Sequence, residues 1–213
     1  MTESTLVTMG ELIKDSSGGL RAATREIVRR QLSDIALDLF LEQGFDAVTI
    51  EQIADKAGIS ARSVHRYFPA KEDLVIDPPE PYGQFVTRTL TERPADEGIM
   101  TSLYSSYAAL MRTREQDRRD KIGMYLLSRS ASLRAHNIEK HERWAEMLTP
   151  IVSSRLTGAD ADVRARALVQ SSLAAFTLAL TTWGNVDEQR SVQELLQLTF
   201  SDLMRVDGET VRR

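Results

Sequence analysis

The 213 residues contain no cysteine. That removes disulfides, thiolate metal ligands and thiol nucleophiles together, and it fits a reducing compartment. No stretch approaches the roughly 18 consecutive apolar residues that a membrane-crossing helix needs, so no membrane partner is expected. The opening MTESTLVTMGELIKDSSGGL has no apolar core behind a basic start; export is not expected, and a cytoplasmic location is. Positive charge is also short: 27 Lys and Arg face 31 Asp and Glu, a net charge of −4. A nucleic-acid binder with that balance must concentrate its basic residues locally. The phosphate loop G-x-x-x-x-G-K-S/T, the dinucleotide fingerprint G-x-G-x-x-G and the nucleophile elbow G-x-S-x-G are all missing. No catalytic residue or cofactor is assigned, and an enzyme is not expected. His136 and His141 are five apart and do not share a helix face as an i, i+4 metal pair would, so no metal site is expected.

What is present is helical periodicity. From Thr24 to Gln43, Val28, Leu32, Ile35, Ala36, Leu39 and Phe40 form one apolar stripe. Gly44 stops that helix, and Phe45 can fold back on its last turn. Thr49-Ile50-Glu51-Gln52 has the form of a capping box and opens a second helix, which ends at Gly58. Ser60 caps a third, whose inner face is Val64 and Phe68 and whose end is Pro69. A fourth begins over Lys71–Ile76 and is interrupted by Asp77-Pro78-Pro79-Glu80-Pro81. That stretch holds three of only six prolines and reads as a boundary between modules. Longer helical patterns follow near Tyr82–Glu92, Asp96–Thr113, Asp117–Ser130, Ser132–Leu156, Asp160–Trp183 and Ser191–Val206. No segment alternates with period 2. The expected fold is all-α: an N-terminal arm (residues 1–20), a three-helix module (21–77) and a larger helical domain (82–213).

The second helix, the Gly-Ile-Ser turn and the third helix make a helix-turn-helix, whose last helix enters the DNA major groove. With Val64 and Phe68 inward, Arg62, His65 and Arg66 share the outward face, beside Ala61. An arginine there can pair with the guanine edge, and His and Tyr can reach phosphates or bases. Lys71 is placed to neutralise a phosphate. Thr49 and Ser60 each stand at a helix N-terminus, where backbone N–H groups suit an anion.

VTIEQIADKAGIS followed by ARSVHRYFPAKEDL resembles the DNA-binding domain of the TetR family of transcriptional regulators. The shared features are Thr49, Ile53-Ala54, Ala57-Gly58-Ile59-Ser60, Tyr67-Phe68 and Lys71-Glu72-Asp73-Leu74, within a resemblance covering Ala22 to Val75. It implies DNA contacts at Thr49, Ser60, Ala61, Arg62, Ser63, His65, Tyr67 and Lys71, to which the facing argument adds Arg66. A basic arm, Arg21 and Arg25 here, also belongs to the family pattern. Many members have a small residue or proline where this chain has Arg62 and a tyrosine where it has His65. Both departures bear on which operator is read and leave the inner face intact.

The resemblance further implies a homodimer and a small-molecule pocket in the C-terminal helices. Apolar residues on more than one face of Val163–Trp183 agree, since such a helix needs cover on several sides. Leu173, Leu180, Leu195, Leu196 and Leu203 are the candidate dimer contacts. Tyr104, Tyr107, Met111, Met124, Tyr125, Trp144, Met147, Phe176 and Trp183 are the candidate pocket wall, the composition usual for a small apolar ligand. HERWAEMLTPIVSSRL and DVRARALVQSSLAAFTLALTTW are similar to the C-terminal half of mycofactocin-type TetR regulators, a subgroup associated with acyl-CoA thioesters. On that likeness Arg112, Arg114, Arg118 or Arg119 would meet an anionic headgroup. The combined expectation is a sequence-specific, ligand-responsive regulator of double-stranded DNA, a repressor released by an apolar ligand such as an acyl-CoA. The acidic balance keeps open a protein of the same fold that acts through protein partners or non-specific DNA binding.

Overall fold

A computed structural model describes residues 9–113 and 118–210, and every regular element among them is helical. The helices are α1 (Met9–Gln43), α2 (Ile50–Ala57), α3 (Ala61–Tyr67), α4 (Pro79–Thr91), α5 (Ile99–Thr113), α6 (Arg118–Arg129), α7 (Ala131–Ser153), α8 (Ala161–Trp183) and α9 (Val192–Thr210). Residues 1–8 of the expected arm lie outside the described residues, as does Arg114.

Three boundaries differ from the periodicity. First, α1 begins at Met9 rather than near Thr24. No proline interrupts that segment, and a helix can extend along the chain without an apolar stripe to announce it. Second, Lys71–Ile76 forms only one 3-10 turn, Glu72–Leu74. Six residues are too few to repay helix nucleation, and the residue before Pro78 is pushed out of the helical region. Third, α4 starts inside the proline run, with Pro79 at its first position. A first-turn proline loses no bond the helix would have made.

Two apolar cores result. The first joins α1, α2, α3 and the 3-10 turn through Leu32, Phe40, Ile53, Val64, Phe68 and Leu74, and it takes in Leu126 and Leu127 of α6 and Leu133 of α7. The second fills the space among α4, α5, α7, α8 and α9 with Leu103, Tyr107, Trp144, Leu148, Leu173, Phe176, Leu195 and Phe200. The N-terminal module is therefore docked on the body. Arg119 of α6 pairs with Asp34 of α1 at 2.7 Å, His136 of α7 meets Asp73 at 3.2 Å, and Ser132 donates to Glu72. The buried Ser130 hydroxyl caps α7 at Leu133 N–H and donates to Asp46. At the far end α6 crosses the C-terminus of α8 closely. A Cβ on Gly184 would stand 2.6 Å from the Tyr125 nitrogen and 2.7 Å from the Met124 carbonyl carbon, so that crossing admits only glycine.

Candidate nucleic-acid interface and ligand cavity

The helix-turn-helix is fixed by its caps. Thr49 Oγ1 accepts from Gln52 N–H at 3.3 Å while Gln52 Oε1 accepts from Thr49 N–H at 2.8 Å, the reciprocal pair of a capping box. Gly58 closes α2 at φ 68°, a left-handed position that glycine occupies without strain, and Ile59 N–H returns to the Ala54 carbonyl at 3.0 Å. Ser60 Oγ then accepts from Ser63 N–H at 3.2 Å and starts α3. Val64 and Phe68 are 0% and 1% exposed. With the inner face locked, Arg62, His65 and Arg66 are exposed on the opposite side, as are Thr49 and Ser60, while Ala61, Ser63 and Tyr67 are half-buried at the edge. The Tyr67 ring lies under two guanidiniums, Arg66 at 5.2 Å and Arg25 at 5.8 Å. Positive charge is gathered on this face despite the acidic average.

Lys71 has an engagement within the fold besides the phosphate contact expected of it. Its ammonium donates to the Phe45 carbonyl at 2.9 Å and to the Val48 carbonyl at 3.0 Å, and it stands 4.4 Å from the Phe45 ring centre. Two of its three protons thus staple the α1–α2 loop to the segment after α3. What it offers a phosphate is the third proton and the charge.

A cavity of about 420 Å³ opens between the two cores. Arg29, Arg30, Phe68, Leu74 and Ile76 line it from the N-terminal module, and Met111, Met124, Trp144, Phe176, Leu180 and Trp183 from the body. Five of the nine wall candidates are therefore present. The other four are engaged elsewhere. Tyr104 packs on Phe200 at 5.7 Å between ring centres. Tyr107 is fully buried behind the wall, stacked on Phe176 at 4.7 Å, with its hydroxyl 3.0 Å from Ser172 Oγ; burial pushes its phenol upward, so it stays neutral. Tyr125 lies outside, under the Arg129 guanidinium. Met147 fills the space over Gly83, where a Cβ would meet its Cε at 2.2 Å.

Polar groups missed by the sequence reading complete the wall: Asn137, Lys140, His141 and Thr177. His141 Nδ1 is 3.3 Å from Thr177 Oγ1, and burial first, then the Lys140 charge, pulls its pKa down to about 4. It is a neutral imidazole at neutral pH. Asn137, Lys140, His141 and Trp144 recur at i, i+3, i+4 and i+7 on one face of α7, a signal that was available, but helix-face spacing alone does not tell a cavity wall from a solvated surface. Of the headgroup candidates, Arg119 lines the cavity, Arg118 lies over Asp38 at 3.8 Å on an exposed face, and Arg112 is exposed.

Three candidate dimer residues are placed differently. Leu173, Leu195 and Leu196 are 1% exposed or less inside this chain's own core, while Leu180 lines the cavity and Leu203 is half-buried against the core. The stripe facing outward on α8 is Val163, Ala167, Ser171, Ala174 and Leu178, and Leu198 of α9 is exposed as well. Periodicity could not separate the two faces, because both are apolar. Among the described residues no helix is long and apolar enough to cross a membrane, and no three His, Asp or Glu gather as a metal site would need.

Residues 32–77 match the family described as bacterial regulatory proteins, tetR family. Residues 94–207, more than half of the chain, match the MftR C-terminal domain. The chain belongs to the TetR family. It is 30% identical over 151 residues to the HTH-type transcriptional regulator TcmR of Streptomyces glaucescens, covering 68% of this chain and 66% of that protein, just under two thirds of its length. It is 25% identical over 183 residues to MftR of Mycobacterium tuberculosis, named for regulation of mycofactocin biosynthesis, covering 83% and 89%. Solved TetR-fold structures share the architecture. NalD, the secondary repressor of the MexAB-OprM multidrug efflux pump in Pseudomonas aeruginosa, aligns with a TM-score of 0.55 at 19% identity over 84% of this chain and 95% of that one. The regulator FadR of Bacillus subtilis, solved with stearoyl-CoA, aligns with a TM-score of 0.53 at 21% identity over 82% and 97%. At these identities the likeness is one of fold. As a TetR-family member the chain is a DNA-binding transcriptional regulator.

Proposed function

We propose that this regulator is a homodimeric repressor that acts in the cytoplasm and is released from its operator by a ligand with a long apolar tail, an acyl-CoA thioester foremost. The observation that carries the reading is the shared cavity. One wall is built from α1, Phe68 at the end of the recognition helix and the 3-10 turn; the other is built from the aromatic and methionine side chains of the body. A ligand that prefers one arrangement of those walls biases the position of α3 through Phe68. The volume lies within the usual 300–1,000 Å³ range for small-molecule sites, and a fold neighbour holds stearoyl-CoA.

On DNA, Arg62, His65 and Arg66 would reach base edges and phosphates, with Thr49, Ser60, Ala61, Ser63 and Tyr67 at the margin and Lys71 contributing charge. The dimer would form through the small-residue stripe of α8, where Ala167, Ser171 and Ala174 let a second helix approach closely. Two copies would then present their α3 helices to half-sites one helical turn or a multiple apart.

The test is a titration of the protein into labelled DNA from upstream of its own gene, at two salt concentrations, beside a scrambled fragment. The reading expects tight binding to the native fragment alone, weakening as salt rises. Equal binding to both fragments would favour the alternative of phosphate grip without base reading.

A further inference from the structure

Arg25 and Arg29, one turn apart on α1, reach the same end of the recognition helix. Arg25 Nη2 donates to the Arg66 carbonyl at 3.5 Å. Arg29 Nη1 donates to the Tyr67 carbonyl, and its guanidinium lies 4.3 Å from the centre of the Phe68 ring. The recognition helix has only seven residues, so its terminal carbonyls are a large share of its main chain. Such carbonyls lack intrahelical partners, and a cation at a helix C-terminus satisfies them and opposes the negative end of the dipole. Arg29 and Phe68 also line the cavity, with both tryptophans of the chain, Trp144 and Trp183. A single side chain thus caps the DNA-reading helix and forms part of the ligand space.

We propose that Arg29 is the residue through which the cavity controls the recognition helix: a ligand whose anionic end reaches the α1 wall takes the guanidinium from the Tyr67 carbonyl and leaves α3 uncapped. This rests on the ligand reading above and names the ligand group that acts. Net attraction does not select the anion, because four cations in the wall (Arg29, Arg30, Arg119, Lys140) stand against four carboxylates (Glu26, Asp73, Asp77, Asp120). The selection lies in which donor can be detached. Arg119 faces the Asp34 carboxylate as an ion pair at 2.7 Å, whereas Arg29 donates a hydrogen bond to a neutral carbonyl. A hydrogen bond to an ionised acceptor is roughly twice as strong as one to a neutral acceptor, so a ligand carboxylate or phosphate displaces the Tyr67 carbonyl from Arg29. Arg29 is a positioning residue for the DNA contacts and touches no base itself.

The experiment compares the full chain with Arg29→Met and Arg29→Lys. Without DNA or ligand, Arg29→Met should speed hydrogen exchange at the amides of Arg66, Tyr67 and Phe68 by about tenfold or more, with α8 amides unchanged and Arg29→Lys partly restoring protection. Decanoate and decan-1-ol, matched in tail, are then titrated while tryptophan fluorescence reports occupancy and the anisotropy of labelled operator DNA reports release. In the wild type both probes should change the fluorescence, and only decanoate should lower DNA affinity, by about tenfold. Arg29→Met should bind DNA as weakly as the decanoate-saturated wild type and lose no further affinity with decanoate, the non-additivity expected of groups on one route. Unchanged exchange at α3, or a full decanoate response in Arg29→Met, would overturn the proposal. If neither probe changes the wild-type fluorescence, the ligand reading and the competition step both fail, while the exchange result judges the clamp separately.

Discussion

Val64 and Phe68, buried against α1 and α2, leave Arg62, His65 and Arg66 facing outward, and the consequences divide cleanly between side chains. Arg62→Ala should weaken binding to the specific operator by about 1–3 kcal/mol and relax selectivity there, with unchanged circular dichroism; anisotropy with point-mutated operators checks both. Lys71→Ala should behave differently, because its ammonium holds the Phe45 and Val48 carbonyls. It should lower the thermal midpoint and weaken every DNA sequence alike, since a hydrogen bond to a charged group contributes about 1.5–3 kcal/mol. His141 carries a pH signature. Its folded pKa of about 4 lies below the ordinary 6.5, so between those values the unfolded chain binds the proton and the folded chain does not. Stability is unaffected by this group above about pH 6.5 and falls as pH drops toward 4, by at most about 1.4 kcal/mol per unit. Urea midpoints at pH 7.5 and pH 5 should converge in His141→Gln relative to wild type; an equal drop in both proteins would contradict the assignment. These residue roles were unevenly legible. Outward placement of Arg62 follows from the 3.6-residue period and two inward anchors, but the bonds of Lys71 and the neutrality of His141 depend on segments 23 or more residues away.

At the scale of elements, what could be read was local chemistry. Thr49 with Gln52, Gly58 and Ser60 announce the ends of α2 and α3 because a cap is decided by four or five consecutive residues. The 3-10 turn and the start of α4 were misjudged where two local rules compete, short-helix nucleation against proline tolerance in a first turn. The burial of three dimer candidates, Leu173, Leu195 and Leu196, escapes the sequence for another reason. A helix apolar on several sides does not say which side meets its own core, and α8 turns Leu173 inward and Leu178 outward. Leu178→Arg should therefore weaken the proposed α8-mediated dimer, raising its dissociation constant at least about tenfold in analytical ultracentrifugation, with the fold retained. Leu173→Arg should instead unfold the chain, because it would bury an unpaired charge. A dimer unaffected by Leu178→Arg would place the interface elsewhere.

Over the whole molecule there are two apolar cores, one among α1, α2, α3 and the 3-10 turn and one among α4, α5, α7, α8 and α9, and α6 and the start of α7 pack into the first core. That docking creates the cavity, and a cavity between distant segments leaves no contiguous trace in a sequence; composition pointed to five of its wall residues and could not order the rest. In the proposed function this cavity serves both ligand and DNA. Because Trp144 and Trp183 both line it, one titration can follow occupancy by intrinsic fluorescence and operator release by anisotropy together, with stearoyl-CoA added to the protein–DNA complex. The two signals should change over the same concentration range, and DNA affinity should fall. Fluorescence that saturates while the DNA stays bound would contradict the proposed function.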